Sequence, residues 1–456
     1  MVTDVKLSNN DEFCLKVVVW TLYSGFLLTL VYKLYEEKHL SLDGINYFYQ
    51  VLDKQGFANI AWSRRYAEYI NLWPLVLAVK AGITSIPFLS GIFATGIFIP
   101  YVVFFLICYW SRRGECKSHL IFPLISLYYF NAIADYDLIC ESHVMVLVSW
   151  PILMLLTREQ SLTWFDGFIL WIMLVIYWRL YETALIPAGI FLVFAGYSFF
   201  QTTNYKEKII YVGTILLTIV TIAIAAWFIF HPRSPGNRGN FLDSVPLFRR
   251  NNEAIVTVLF SLSFWFAWLS TERFQLIRKL FFIGALIPIA YYIYIRTFTD
   301  YTLTAYISFS SRTFTAFWLP VLLIASLIVA RMKPKLNRLG LGVLSLFILV
   351  MMGFNAYDTT YWRNAADEYK RILSENTGFV RWEATELGKD PYKDYVWDWN
   401  NSLLSIVWSD SCVKSIILNP EGSYQPVKIL EELPMKNYIK YSEEFRQIDG
   451  SLEVCK

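Results

Sequence analysis

Apolar runs about as long as a membrane is thick recur along this chain from residue 14 to residue 356, separated by short polar breaks. Crossing a hydrocarbon core takes roughly 20 mostly apolar residues, and they must be helical, because only a helix satisfies its own backbone where water is absent. About eleven such runs can be marked, near 14–33, 86–110, 119–133, 143–157, 167–180, 184–200, 208–230, 254–270, 280–296, 314–331 and 339–356. The break between the fifth and sixth is so brief that they also fit one broken helix. Composition agrees: 56% of residues are hydrophobic and only 17% charged, against roughly 25% charged in an ordinary soluble domain. A soluble fold cannot hide that much apolar surface, so the expectation is an all-α polytopic membrane protein with membrane lipids around it. The net charge of +3 carries no basic excess that would draw the chain to nucleic acid, and that partner class is set aside.

Orientation follows from the short connectors. The first residues, MVTDVKLSNNDEF, are polar and acidic, unlike the basic start of a secretory signal, so the first run reads as a retained span. Four compact basic turns, SRRGECKSH (111–119), NYKEK (204–208), TERFQLIRK (271–279) and RMKPKLNR (331–338), fall on one side, which positive charge in short loops marks as cytoplasmic. The opposite side receives 34–72, 134–142, 231–253, 297–313 and everything after 357. Two units result: a transmembrane domain at 1–357, whose outer loop 34–72 carries surface helices, and a small extracytoplasmic domain at 358–456. The second has the composition of a soluble α/β or α+β unit, with a helical stretch TTYWRNAADEYKRILSENTG followed by the strand-like runs LLSIVWS and VKSIILNP. Cys412 and Cys455 share it. They pair if that compartment is oxidising and are unrelated thiols if it is not. No C-x-x-C pair occurs, so neither a zinc site nor a thioredoxin-like motif is indicated.

Acids and arginines collect on the outer side. In the loop after the first span, 44–52 and 64–80 read as amphipathic helices on the bilayer surface, and Asp43 stands before the first of them. A carboxylate there suits a general base that accepts a proton from a hydroxyl; before Gly-Ile-Asn it equally suits a helix N-cap. The next outer loop, ADYDLICESH, brings Asp135, Asp137, Glu141 and His143 together. The Asp135 and Asp137 spacing can hold a divalent cation against a phosphate, or can be a polar turn. Arg179 and Glu182 interrupt an apolar stretch at helical spacing, as an internal ion pair or as ligands. Arg296 and Arg312 flank RTFTDYTLTAYISFSSR, and Arg64 and Arg65 lie in the first loop. Planar guanidinium forks suit phosphate, so this set fits an anionic lipid-linked substrate or lipid headgroups.

In these features the chain resembles the GT-C superfamily of membrane glycosyltransferases, which use polyprenyl-phosphate or polyprenyl-diphosphate sugars as donors. The likeness rests on the long loop after span one with Asp43 near its start, on the acidic ADYDLICESH loop between spans three and four, and on a multi-span core with an outer C-terminal domain. The resemblance implies Asp43 as catalytic base with Asp135, Asp137 and Glu141 as supporting acids. Arg64, Arg65, His143, Arg179, Glu182, Arg296 and Arg312 are then substrate-binding candidates, a polyprenyl-phosphate-linked sugar is the donor, and a glycan or lipid is the acceptor. Where many members carry paired acids in the first loop, this chain has Asp43-Gly44, which points away from the protein O-mannosyltransferase and oligosaccharyltransferase branches. It points toward an enzyme modifying an envelope polysaccharide or lipid at the inner, cytoplasmic membrane of a bacterium. A flippase for a lipid-linked sugar, or an envelope glycan polymerase or ligase, is the alternative.

Overall fold

The structure, a computed structural model, describes residues 9–41, 43–59, 64–113, 117–133, 141–231, 252–269, 275–298, 318–332, 338–389, 401–409, 412–418, 438, 440–448 and 454–455. Its long elements are α1 (Asn9–Tyr35), α2 (Asp43–Lys54), α3 (Arg65–Lys80), α4 (Ile86–Ser111), α5 (Ile121–Ile133), α6 (Glu141–Leu156) and α7 (Trp164–Tyr177). They continue with α8 (Leu185–Gln201), α9 (Tyr205–Phe230), α10 (Asn252–Leu269), α11 (Gln275–Gly284), α12 (Leu286–Phe298), α13 (Leu319–Met332) and α14 (Arg338–Glu375). Each apolar run of the sequence therefore holds a helix. Among the described residues six helical stretches are long and apolar enough to cross a membrane: Leu15–Tyr35, Ile86–Ser111, Glu182–Gln201, Tyr205–Phe230, Gln275–Tyr294 and Arg338–Glu375. The chain is a helical membrane protein with little sheet.

Aromatic contacts set the directions of the helices. Rising positions in α1 meet falling ones in α4: Trp20 lies against Tyr109, Tyr23 stacks on Phe105 with ring centroids 3.7 Å apart, and Phe26 meets Tyr101. These two helices are antiparallel. Between α4 and α6 the order is the same in both, Tyr101 beside His143 and Arg112 beside Met154, so they run parallel. The indoles of Trp171 and Trp178 donate to the carbonyls of Ile210 and Leu217, which makes α7 and α9 parallel as well. With Lys208 over Phe199, α8 returns antiparallel to α9. The fifth and sixth runs are thus two helices of opposite direction rather than one broken helix. A capping box at Thr163 and Asp166 starts α7, and Pro187, harmless in a first turn, starts α8.

Among these α7 is short. With 14 residues it reaches about 21 Å, against a hydrocarbon core of about 30 Å. It begins, and α4 and α6 end, level with Arg112 and Asp166 at one end of the bundle, here called lower, where Arg158 and Arg113 pair with Asp166 at 2.9 and 3.3 Å. At the other, upper, end it stops well before α9 does, Trp178 meeting Leu217 thirteen residues short of Phe230. The first connector fills in there. Rather than lying flat, α3 stands lengthwise against the first half of α4, because Gly96 lets the Asn71 carbonyl and Pro74 approach its backbone.

Beyond the apolar run α14 does not stop. From Asn355 to Thr377 there is neither Gly nor Pro, so one helix of 38 residues continues to Glu375, and the left-handed Gly378 (φ 73°) follows three residues on. The boundary expected at 357 therefore falls inside a helix. The segment LLSIVWS is helical too, in α15 (Asn401–Trp408), not a strand. An apolar run this short fits either period, and packing decides: Leu404 and Trp408, one turn apart, are buried, and the Tyr369 hydroxyl meets Ser405 Oγ at 3.0 Å. Two parallel strand pairs complete the segment, β1 (Gly378–Arg381) with β3 (Ser415–Leu418) and β2 (Cys412–Val413) with β4 (Lys440–Tyr441), ahead of the short α16 (Glu443–Ile448). A disulfide joins Cys412 to Cys455, with Cα atoms 5.8 Å apart.

Replacing Gly96 by Val drives a side chain into the Asn71 carbonyl and should cost about 1–3 kcal/mol. Gly91→Val on the same helix meets open space and serves as the control. Thermal unfolding of purified protein, followed by tryptophan fluorescence, should show a lowered midpoint for the first variant alone.

Candidate functional site

At the upper end the chain leaves α1 through Glu36 and Glu37. Glu37 adopts left-handed backbone (φ 56°, ψ 22°) and begins a 3₁₀ turn at Lys38–Leu40. The turn is buried: the His39 ring shares a 2.9 Å hydrogen bond with Ser90 Oγ of α4, and Ser41 Oγ donates to the Lys38 carbonyl at 2.7 Å. The Gly44 amide then donates to the Ser41 carbonyl, and Asp43, half-buried, is the first residue of α2. Burial pushes the His39 imidazole down to about 4, because desolvation outweighs the opposing influence of the Glu37 carboxylate and its hydrogen bonds.

The connector returns to the bundle at α3. There the Tyr66 amide donates to the Arg179 carbonyl at 3.1 Å. Arg64 Nε donates to both carboxylate oxygens of Glu182 at 3.3 and 3.2 Å, and its guanidinium lies 4.5 Å from the centroid of the Tyr181 ring. Glu182 thus reaches Arg64, far away in sequence, and not only a neighbour on its own segment. Thr183 Oγ1 contacts Met145 Sδ. His143, two residues before Met145 and so on the other side of α6, stands against Tyr101 of α4. Arg64, the backbone of Arg179, Tyr181 and Glu182 therefore form one locus. It sits where α7 gives way to α8, about 20 Å above the lower ends by helix rise. Arg65 turns to the Tyr69 ring of its own helix.

Other expected positions are not described to the same depth. Asp135, Asp137 and Arg312 lie outside the described residues. Glu141 opens α6 and Arg296 lies in α12, with side chains outside the described set. Among the described residues no three His, Cys, Asp or Glu side chains are grouped to hold a metal ion.

Two upper-end groupings escape a reading of the sequence. Lys33, 1% exposed, donates to Asn355 Oδ1 at 3.3 Å, with Asp358 and Thr359 of α14 also buried. The signal was faint: a lysine near the end of one apolar run, and Asn and Asp three apart near the end of another. The second grouping joins the turn after α1 to α14 and α15. The Trp362 indole donates to the Glu36 carbonyl at 2.9 Å, and Lys370 Nζ and the Trp408 indole both donate to Glu37 Oε2, at 2.6 and 3.1 Å.

No protein-family model matches this chain, and no curated protein or solved structure matches it either.

The side chains of Arg64 and Glu182 are 11% and 3% exposed, so removing one takes from the other, still buried, its opposite charge. Arg64→Met and Glu182→Gln should each destabilise by roughly 3–5 kcal/mol, and the double variant by less than their sum. A double-mutant cycle in denaturant measures this. The depressed value of His39 also has a pH consequence. The unfolded imidazole titrates near 6.5, so stability from the buried neutral ring is complete above that pH and is lost as pH falls toward 4. Melting midpoints from pH 7.5 to 4.5 should fall more steeply for wild type than for His39→Gln.

Proposed function

We propose that the chain is an integral membrane glycosyltransferase, moving a sugar from a polyprenyl-phosphate carrier to an envelope glycan or lipid acceptor at the outer face of the cytoplasmic membrane. The observation that carries the reading is the pairing of the first connector's Arg64 with Glu182, where α7 gives way to α8, while Asp43 stands on that same connector. In this mechanism the Asp43 carboxylate takes the proton of the acceptor hydroxyl as its oxygen attacks the anomeric carbon. The bond to the carrier phosphate breaks, and an arginine at the locus stabilises the charge left on that phosphate. The glutamate beside Arg64 holds the guanidinium in place.

Topology is proposed with it. Eleven spans, an outer C-terminal segment and the basic turns in the cytoplasm are supported by two features. α1 and α14 run in the same direction, as an odd number of crossings requires: Lys33 meets Asn355 and Glu36 meets Trp362. The Cys412–Cys455 disulfide suits an oxidising compartment.

One observation favours a second reading, a carrier for the same lipid-linked sugar. The buried Arg64–Glu182 ion pair lies among helices of the membrane domain, where paired charge marks a substrate path.

Purified Asp43→Asn, given a synthetic polyprenyl-phosphate hexose, should release or transfer hexose about 10²–10⁴-fold more slowly than wild type. Undiminished turnover removes Asp43 from the mechanism. Scrambling of the donor by wild-type protein in acceptor-free vesicles, without hexose release, selects the carrier.

A further inference from the structure

The turn that carries Asp43 is held from the far end of the chain. Glu37 is one of three non-glycine residues with positive φ among the described residues, a conformation that costs roughly 1–2 kcal/mol and persists only where surroundings impose it. The surroundings here are α14 and α15. Glu37 Oε2 receives Lys370 Nζ and the Trp408 indole, Arg363 approaches Glu36 at 3.7 Å, and Trp362, 1% exposed, binds the Glu36 carbonyl. Lys370 also lies over the Trp408 ring at 5.3 Å, and Trp408 packs against Trp362 and Tyr369 at 5.8 and 5.2 Å. An exposed ion pair such as Lys370 with Glu37 contributes little by itself. The two indole hydrogen bonds, backed by packed rings, therefore do most of the holding.

From Glu37 the constraint passes on through three backbone hydrogen bonds. The Leu40 amide donates to the Glu37 carbonyl at 2.9 Å, the Ser41 amide to Lys38 at 3.1 Å and the Gly44 amide to Ser41 at 2.9 Å. The last of these fixes the start of α2, where Asp43 stands. Behind the turn, His39 on Ser90 fastens it to α4, so the C-terminal segment supplies the opposite jaw. Contacts between α15 and α2 extend the same grip along the helix.

We propose that the C-terminal segment is a clamp on the first connector, with Glu37 the positioning residue through which Trp408 sets the turn that orients Asp43. The catalytic part of this proposal rests on the reading of Asp43 as the base; the mechanical part does not. The segment is thereby a working part of the site and not an appended domain.

The test uses the full chain in lipid nanodiscs, with Glu37→Gln, which removes the carboxylate charge, and Trp408→Phe, which keeps an aromatic ring but loses the N–H donor with part of the indole. Amide hydrogen exchange across residues 38–52 is read against α9 as an internal reference. In both variants exchange at Leu40, Ser41 and Gly44 should rise by about tenfold or more with α9 unchanged. Turnover of a synthetic polyprenyl-phosphate hexose should fall about ten- to a hundredfold, with the donor KM within about twofold of wild type, as a displaced base requires. Wild-type exchange at 40–44 in both variants overturns the clamp. Raised exchange with undiminished kcat, in a protein that Asp43→Asn inactivates, overturns the positioning role. If Asp43→Asn itself retains full turnover, the glycosyltransferase base has failed, and the exchange arm alone decides whether the clamp exists.

Discussion

A helix that ends before the bilayer does must be completed by other polypeptide, and much of this molecule follows from one that ends early. Because α7 falls about 9 Å short of a typical hydrocarbon core, the bundle above it cannot be closed by that span alone. The first connector supplies the missing structure, with α3 standing against α4 and α2 packed behind it. Polar groups that would be intolerable against lipid can then be buried against protein.

The Arg64 and Glu182 pair is the electrostatic counterpart of that geometry. Taking two charges out of water is costly, and their attraction offsets the cost only with good geometry and additional partners. Both oxygens of Glu182 accept from Arg64 Nε, and Tyr181 lies under the guanidinium. A pair built this way does little for stability beyond not being broken, which is why its position, where the connector re-enters the bundle, bears on function. The lower end solves a similar problem differently: Asp166 takes Arg113 and Arg158 together with its own capping partner Thr163, tying α4, α6 and α7 into one cap.

Much of the secondary structure was legible because a bilayer permits so few alternatives. An apolar run in lipid has to be helical, so the positions of α1, α4, α9 and α14 follow from hydropathy alone. Legibility fails where that constraint lapses. In the C-terminal segment LLSIVWS reads as a strand by composition yet folds as α15, since contact with Tyr369 and Trp362 selects the helical face. The join between the last apolar run and the helical stretch TTYWRNAADEYKRILSENTG was not legible for a related reason: apolar composition stops near 356, whereas the helix has no Gly or Pro to break it there and runs on to Glu375. Of the site, Asp43 and the arginines could be noticed as charges in aromatic surroundings. Glu37, Trp408 and Lys370 could not, since each is ordinary in its own neighbourhood.

By itself the sequence determined that this is a helical membrane protein, where its helices lie and which connectors hold charge, because hydrocarbon excludes every other arrangement of an unpaired backbone. Tertiary structure alone decided that Glu182 reaches across to Arg64, that α3 stands along α4, and that α14 and α15 pack onto the first connector. Those choices depend on contacts between residues separated by about a hundred positions or more, such as Arg64 with Glu182 and Glu37 with Trp408. No local pattern encodes such a distance. It emerges only when helix lengths, packing glycines such as Gly96 and the need to pair buried charge are satisfied together.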